Sequence, residues 1–403
     1  MKTIGEALAE AMALVSPLPA EERPLADALG GSLADDLVAT LDVPWADVSL
    51  VDGYAVRAAD VRAGVSLRVS MEARAGADVG ALEAGTAGRI FTGAPLPHGA
   101  DAVVMQEIVT RVEGEAVFSA EARVGQGVRR AASDLAAGER IVSRGTEVDP
   151  GLVGLAASQG RATLPVVRAP RVAILTTGDE LRDPGDALSP GAIYDANGPM
   201  LTAAVQAAGG RIVRRARVPD DLEQTRAALD EAARAADLVV IAGGVSVGDH
   251  DLVHAALAAL GVRQVLWKVR MKPGKPLAVG VREGRPFLGL PGNPVSAWVG
   301  FELFVRPMLR RMLGDPRPYR AAHEVVLGAS IRCSPDRTEL ARARLDPEGR
   351  AWPLAKQTSS ALGSVVGVDA LLVLPERDGE LAAGERVHAM RLFGHGRASS
   401  PFA

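Results

Sequence analysis

Residues 171–180 read RVAILTTGDE, a seven-residue run of strand character that passes straight into Gly-Asp-Glu. A short, nearly continuous apolar run bounded by a turn signal reads as a strand buried on both faces, as in a parallel sheet. The same pattern repeats downstream. Asn197 stands as an N-cap, with Pro199 in the first turn and Gly209-Gly210 closing the helix. Arg211–Val218 is a second strand ending at Pro219-Asp220-Asp221, a polar helix runs to about Ala235, and Leu238–Ala242 is a third strand ending at Gly243-Gly244. Phe287–Leu290 then leads through Pro291-Gly292-Asn293-Pro294 into a long helix to about Met312. This alternation predicts a doubly wound, mostly parallel α/β domain over residues 169–316.

Outward from that domain the pattern changes. Thr3 and Glu6 form a capping-box signature, with Ile4, Leu8, Met12 and Val15 following at helical spacing. Residues 147–160 also read as helix. Between them, residues 41–140 carry short β-rich stretches such as Leu67–Val69 and Ala116–Phe118 between Gly and Asp turns. We therefore expect a β-rich insertion at 41–140 within a helical region made of 1–40 and 141–168. Residues 317–403 return to short strands, Ala370–Leu374 being the clearest, and predict a small β domain. The tail Arg397–Ala403 is expected to fray.

Composition narrows the class. A 403-residue chain has room for several domains, and a 48% hydrophobic content fills several cores. Only 3% of residues are aromatic, so the interior is expected to be Ala, Val and Leu. A net charge of −4 gives no overall attraction to nucleic acid or to an anionic membrane. The single cysteine, Cys333, excludes an internal disulfide framework and a Cys-rich metal cage, and reads as a buried small apolar residue. The first residues lack an apolar signal core, and no window reaches the roughly 18 apolar residues of a membrane span. A cytoplasmic protein is the expectation.

In an open parallel sheet, ligands bind at the carboxyl ends of the strands. Those ends are Thr177–Glu180, Pro219–Asp221, Gly243–Asp251 and Pro291–Ser296. Gly243, Gly244 and Gly248 allow backbone N–H groups to approach a phosphate. Carboxylate oxygens suit Mg2+, which is held by one or two carboxylates with phosphate oxygens and water. Any one of these loops alone reads as an ordinary turn. Four on one edge point to a phosphate-containing ligand and a divalent metal.

Lys272-Pro273-Gly274-Lys275-Pro276, preceded by Trp267-Lys268, makes a compact cationic loop suited to oxyanions. No Walker loop occurs, and no G-x-G-x-x-G follows a strand, which disfavours a P-loop kinase and a Rossmann dehydrogenase. His250 and His254 are four apart without the H-E-x-x-H pattern of a zinc hydrolase. Gly244–Gly248 matches G-x-S-x-G around Ser246, the string of a hydrolase nucleophile elbow.

These loops, with others upstream, resemble the molybdopterin molybdenumtransferase (molybdenum insertase) family, which includes the C-terminal domain of gephyrin. The resemblance runs along nearly the whole chain. It rests on Asp42-Val43-Pro44, Ser49, Asp52–Val56, Thr92–Pro95, Thr177–Leu181, Gly243–Asp251, Lys272–Pro276 and Pro291–Ser296. In combination these motifs are specific, and they explain the glycine loop better than a hydrolase does.

The resemblance implies an elongated helical region, an inserted β-rich domain, the α/β domain and a small C-terminal β barrel. It implies an elongated homodimer whose site joins the α/β domain of one subunit to the inserted domain of the other. The implied substrates are molybdate and adenylated molybdopterin, with Mg2+-dependent cleavage of the pyrophosphate and release of AMP. The implied catalytic set is Asp52, Thr92, Asp134, Glu180, Asp251, Lys272 and Lys275, with Glu180, Asp220 and Asp251 at the metal. The loop Gly243–Gly248, with Gly243, Gly244, Ser246 and Gly248, would cradle the nucleotide phosphates, and Asp249, Pro291, Gly292, Asn293 and Pro294 are further cofactor-binding positions. Lys268, Lys272 and Lys275 would attract oxyanions, Lys275, Pro276 and Ser296 would contact molybdate, and Arg342 with the Ser359-Ser360 pair, Ser360 included, would complete that pocket. A molybdopterin adenylyltransferase and molybdoenzymes are the implied protein partners.

The chain departs from the family pattern on the inserted-domain side. Val48 stands for the usual Asn, Val51 for Met, Gly127 for Asn, and Ala132-Ser133 for the Gly-Glu before Asp134. These departures keep two alternatives in view: a catalytically weakened paralogue that binds pterin or nucleotide, and a scaffold protein.

Overall fold

The computed structural model describes residues 1–76, 78, 80–244 and 252–392. The chain forms two compact units. One comprises Met1–Asp35, Arg144–Val153 and Thr163–Ala403, and the other Asp36–Ser143 and Gly154–Ala162.

The larger unit is built on a six-stranded sheet in the order Arg211–Val218, Arg171–Thr177, Leu238–Ala242, Arg285–Leu290, Ala278–Arg282, Arg263–Leu266. The first four strands are mutually parallel, Ala278–Arg282 runs antiparallel to both its neighbours, and Arg263–Leu266 therefore runs in the direction of the first four. Strand alternation sends Val172 and Ile174 into the core on one face and Ala173 and Leu175 into the core on the other. Leu201 and Val205 of the helix Asn197–Ala207 pack on the first face, and Leu229 and Val253 on the second. Both faces are therefore covered, and the mostly parallel, doubly wound arrangement read from the sequence is present.

Local signals explain most element ends. The capping box at Thr3 forms, with Glu6 N–H donating to Thr3 Oγ1 and Thr3 N–H to Glu6 Oε2, and it opens the helix Ile4–Met12. Asp221 caps Leu222–Ala235 by accepting from Gln224 N–H at 2.8 Å. Asn197 does not act as the N-cap expected of it. It lies inside the helix, and Asp195 accepts from Gly198 N–H at 2.9 Å in its place. The buried Asp195 carboxylate also takes the Thr176 hydroxyl at 3.0 Å, which ties the helix start to the central strand. The helix expected to run to Met312 is interrupted. It is α-helical over Pro294–Gly300, π-helical over Phe301–Val305 and α-helical again over Arg306–Met312. Pro307 has no N–H to offer the preceding turn, and the widened segment lies just before it.

The same unit carries a second sheet in the order Met271–Lys272, Thr338–Leu345, Ala370–Leu374, Arg386–Arg391, Ala322–Val326. Ala351–Pro353 pairs with Thr338–Leu345, and a bridge between Leu327 and Ala351 returns the pairing to the Ala322–Val326 end. Cys333 is buried in the core of this sheet. Met271–Lys272 belongs to the loop system of the α/β sheet, so its parallel pairing with Thr338–Leu345 joins the two sheets.

The smaller unit holds a six-stranded sheet in the order Ala102–Met105, Gly53–Val56, Thr86–Ile90, Ser66–Ala73, Glu115–Phe118, Val109–Val112. Gly53 is fixed by packing, because a Cβ there would lie 2.1 Å from the Val104 carbonyl oxygen. Among the described residues no helix is long and apolar enough to cross a membrane.

Candidate functional site

The second sheet closes over one end of the strand edge in the larger unit and leaves a crevice of about 360 Å3. Its walls are the loop Met271–Pro276, the turn Pro291–Asn293 with Ser296, and Arg337 with Gln357, Thr358 and Ser359. A second hollow beside Trp267 is apolar and holds about 40 Å3, too small for a nucleotide-sized ligand.

Each wall has a local cause. The strand Arg285–Leu290 ends at Pro291, and Pro294 then opens the next helix, with Asn293 in extended backbone ahead of it. Asn293 makes no side-chain cap. Its Nδ2 donates instead to Ser359 Oγ at 3.1 Å, and Val295 N–H donates to the Ser359 carbonyl at 3.2 Å. Asn197 Nδ2 donates to the Gly292 carbonyl at 2.8 Å. The turn is thus held from both sides. In the cationic loop the Lys272–Pro273 peptide is cis, and Gly274 adopts φ +98°, a left-handed conformation that glycine takes without strain.

The cations of the crevice are not equivalent. Lys272 Nζ is bound to Glu339, and Arg337 to Asp336. Lys275 is half-buried and makes no ion pair with a described residue. Ser296 is 4% exposed and lies in the first turn of its helix. Lys275, Pro276, Pro291, Gly292, Asn293 and Ser296 are therefore gathered around one space.

Other expected residues sit elsewhere. Lys268 is not part of the crevice wall. Of the Ser359-Ser360 pair, Ser359 lines the crevice, because the contacts from Asn293 and Val295 fix it against the turn, and Ser360 is exposed outside the wall. Arg342 is fully buried behind the wall. Its Nη2 donates to the carbonyls of Lys356 and Thr358 at 2.9 and 3.3 Å, shaping the segment that lines the crevice. Its Nε and Nη1 have no hydrogen-bond partner among the described residues. Burial pushes its pKa down, and the Glu339 charge acts against that.

At the neighbouring strand ends, Thr177 Oγ1 donates to Asp220 Oδ1 at 2.5 Å, and Asp220 N–H donates to Asp179 Oδ1 at 3.0 Å. Glu180 and Asp220 are exposed carboxylates on this edge, outside the crevice wall. Gly243 is required by packing: its φ is +98°, and a Cβ would lie 2.4 Å from the Thr177 carbonyl oxygen. A Cβ at Gly244 would lie 2.8 Å from a Val253 methyl and 2.9 Å from the Thr177 methyl. Ser246, Gly248, Asp249 and Asp251 lie outside the described residues, as does His250. Among the described residues no three His, Cys, Asp or Glu side chains converge as a cation site. Carboxylates are the hard oxygen donors that Mg2+ takes from a protein, one or two at a time, with phosphate and water completing its shell.

In the smaller unit, Asp52 Oδ1 accepts from both Thr92 N–H and Thr92 Oγ1. These bonds, backbone first, hold the Asp52 pKa below the usual carboxylate range, with a smaller contribution from Arg89. Asp134 is ion-paired with Arg129 at 3.5 Å. Val48, the departure from the family pattern, lies in a short strand paired with Arg129 and is 8% exposed.

Sequence reasoning missed Arg337, Glu339, Gln357 and Thr358. Glu339 lies in the strand Thr338–Leu345 and the others in segments flanking the second sheet, well beyond the motif-bearing loops, and no local spacing marks them.

Comparison with known proteins is consistent along the chain. Residues 2–160 match the MoeA N-terminal region (domain I and II), residues 173–311 a probable molybdopterin binding domain, and residues 324–392 the MoeA C-terminal region (domain IV). The chain is 41% identical to molybdopterin molybdenumtransferase 2 of Mycobacterium tuberculosis, covering 92% of this chain and 94% of that one. It is 36% identical to the molybdopterin molybdenumtransferase of Bacillus subtilis, covering 87% and 85%. A crystal structure of the MoeA protein from Pyrococcus horikoshii superposes with a TM-score of 0.89 at 33% identity, covering 98% of this chain and 99% of that one.

Proposed function

The chain belongs to the MoeA family of molybdopterin molybdenumtransferases, enzymes of molybdenum cofactor biosynthesis, and from that premise we propose that it inserts molybdate into adenylated molybdopterin, cleaving the pyrophosphate and releasing AMP. The observation that carries this is the crevice, where Lys275, which has no ion pair among the described residues, the Ser296 and Ser359 hydroxyls and Lys272 surround a space fit for a tetrahedral oxyanion.

In this account Lys275 supplies the attraction for molybdate as a point charge, and the serine hydroxyls orient it. The turn Pro291–Asn293, pinned by Asn197 and Ser359, keeps those groups in place between turnovers. Gly243 and Gly244 bring the neighbouring strand end close to the turn and leave backbone room for the nucleotide. Asp52, ionised at neutral pH, serves as a fixed acceptor oriented by Thr92, and Asp134 lies in the same unit. Glu180, Asp220 and Asp251 would hold Mg2+, which when bound offsets the charge on the pyrophosphate oxygens. A homodimer, a cytoplasmic location and the finer domain division at 41–140, 169–316 and 317–403 are part of the same proposal.

The test is reconstitution. Purified chain supplied with adenylated molybdopterin, molybdate and Mg2+ is expected to yield cofactor that activates a molybdenum-free molybdoenzyme. No activation, with the substrate bound but unchanged, would favour a binding paralogue.

A further inference from the structure

Lys272 and Glu339 are direct partners in the parallel pairing that joins the two sheets of the larger unit. Lys272 Nζ lies 3.1 Å from one oxygen of Glu339 and 3.2 Å from the other. The carboxylate is 7% exposed, while the Lys272 side chain stands 50% exposed at the crevice. Three residues further along the same strand, Arg342 braces the segment Lys356–Thr358 and senses the Glu339 charge. One buried carboxylate thus stands behind a cation of one crevice wall and the brace of the other.

We propose that Glu339 is a positioning residue of the crevice, fixing Lys272 between binding events and offsetting part of the positive charge so that the oxyanion is held loosely. This inference rests on the molybdate reading of the crevice. With Arg337 paired to Asp336 and Lys272 to Glu339, Lys275 is left as the cation with no ion pair among the described residues. An oxyanion that engages Lys272 must share it with Glu339, whose like charge acts across a partly desolvated wall where electrostatic effects exceed those in bulk water. Weak ground-state binding leaves more of the available interaction to be expressed in the transition state.

The experiment titrates molybdate into the purified full chain by calorimetry. Glu339→Gln keeps the shape and removes the charge. It is expected to bind molybdate about tenfold more tightly than the natural protein, with a steeper loss of affinity on adding salt. Unchanged or weaker binding by a folded Glu339→Gln protein would overturn the proposal. Lys272→Met guards against a folding failure, since this side chain is half exposed. It leaves the carboxylate unopposed and is expected to weaken binding more than tenfold, and a loss of tenfold or less would also overturn it. Absence of molybdate binding in the natural protein would count instead against the reading of the crevice itself.

Discussion

Thr92 donates twice to one oxygen of Asp52, from its backbone N–H at 2.8 Å and from its hydroxyl at 2.7 Å. The double contact fixes the side chain and keeps it ionised. Thr92→Val removes the hydroxyl and spares the backbone bond. The Asp52 pKa, followed by carboxyl NMR titration, is expected to rise towards the ordinary value, and turnover to fall by roughly tenfold for the loss of one charge-assisted bond. An unmoved titration would show that the hydroxyl does not hold Asp52.

Lys275→Ala removes the crevice cation that makes no ion pair among the described residues. The apparent KM for molybdate should rise by at least about tenfold, with the melting temperature and the affinity for adenylated molybdopterin unchanged. An unaltered molybdate requirement would remove Lys275 from the oxyanion site.

Gly243→Ala tests a backbone constraint. A Cβ 2.4 Å from the Thr177 carbonyl at φ +98° cannot be accommodated without moving a strand end. A loss of about 2 kcal/mol or more in denaturant unfolding is expected. A loss below about 0.5 kcal/mol would mean that the strand ends give way freely.

Asp237 links stability to pH. Burial would raise its pKa, but hydrogen bonds from Arg168 and Arg171 outweigh that and hold it well below the carboxylate range. The folded state therefore binds fewer protons here than the unfolded state. The contribution is full above the ordinary carboxylate pKa and is lost as pH falls towards the depressed folded value. Asp237→Asn is expected to cost about 2–3 kcal/mol at pH 7, with the gap to the natural protein narrowing in acid. A gap independent of pH would contradict the assignment.

The fold was legible where periodicity was strong. Arg171–Thr177, Arg211–Val218 and Leu238–Ala242 form strands at the residues read from the sequence, and Leu222–Ala235 forms the helix. Asn197 was misread because Asn at a helix start usually caps it, and here Asp195, held by Thr176, does so while Asn197 turns to Gly292. The crevice was half legible. Its Lys272–Pro276 and Pro291–Ser296 loops carry their own motifs, whereas Glu339 and Gln357–Ser359 reach it through pairing between distant segments. The resemblance assigned Arg342 and the Ser359-Ser360 pair to the pocket. Contacts, which spacing does not encode, bury Arg342 behind the wall and place Ser359 of the pair on it.

The central claim is that molybdate and pyrophosphate cleavage are coupled in one site. The most direct test is the rate of AMP release from adenylated molybdopterin by the purified chain with Mg2+, with and without molybdate. Release that requires molybdate and is depressed in Lys275→Ala is the predicted result. Release at the same rate without molybdate, or none under any condition, would contradict the account.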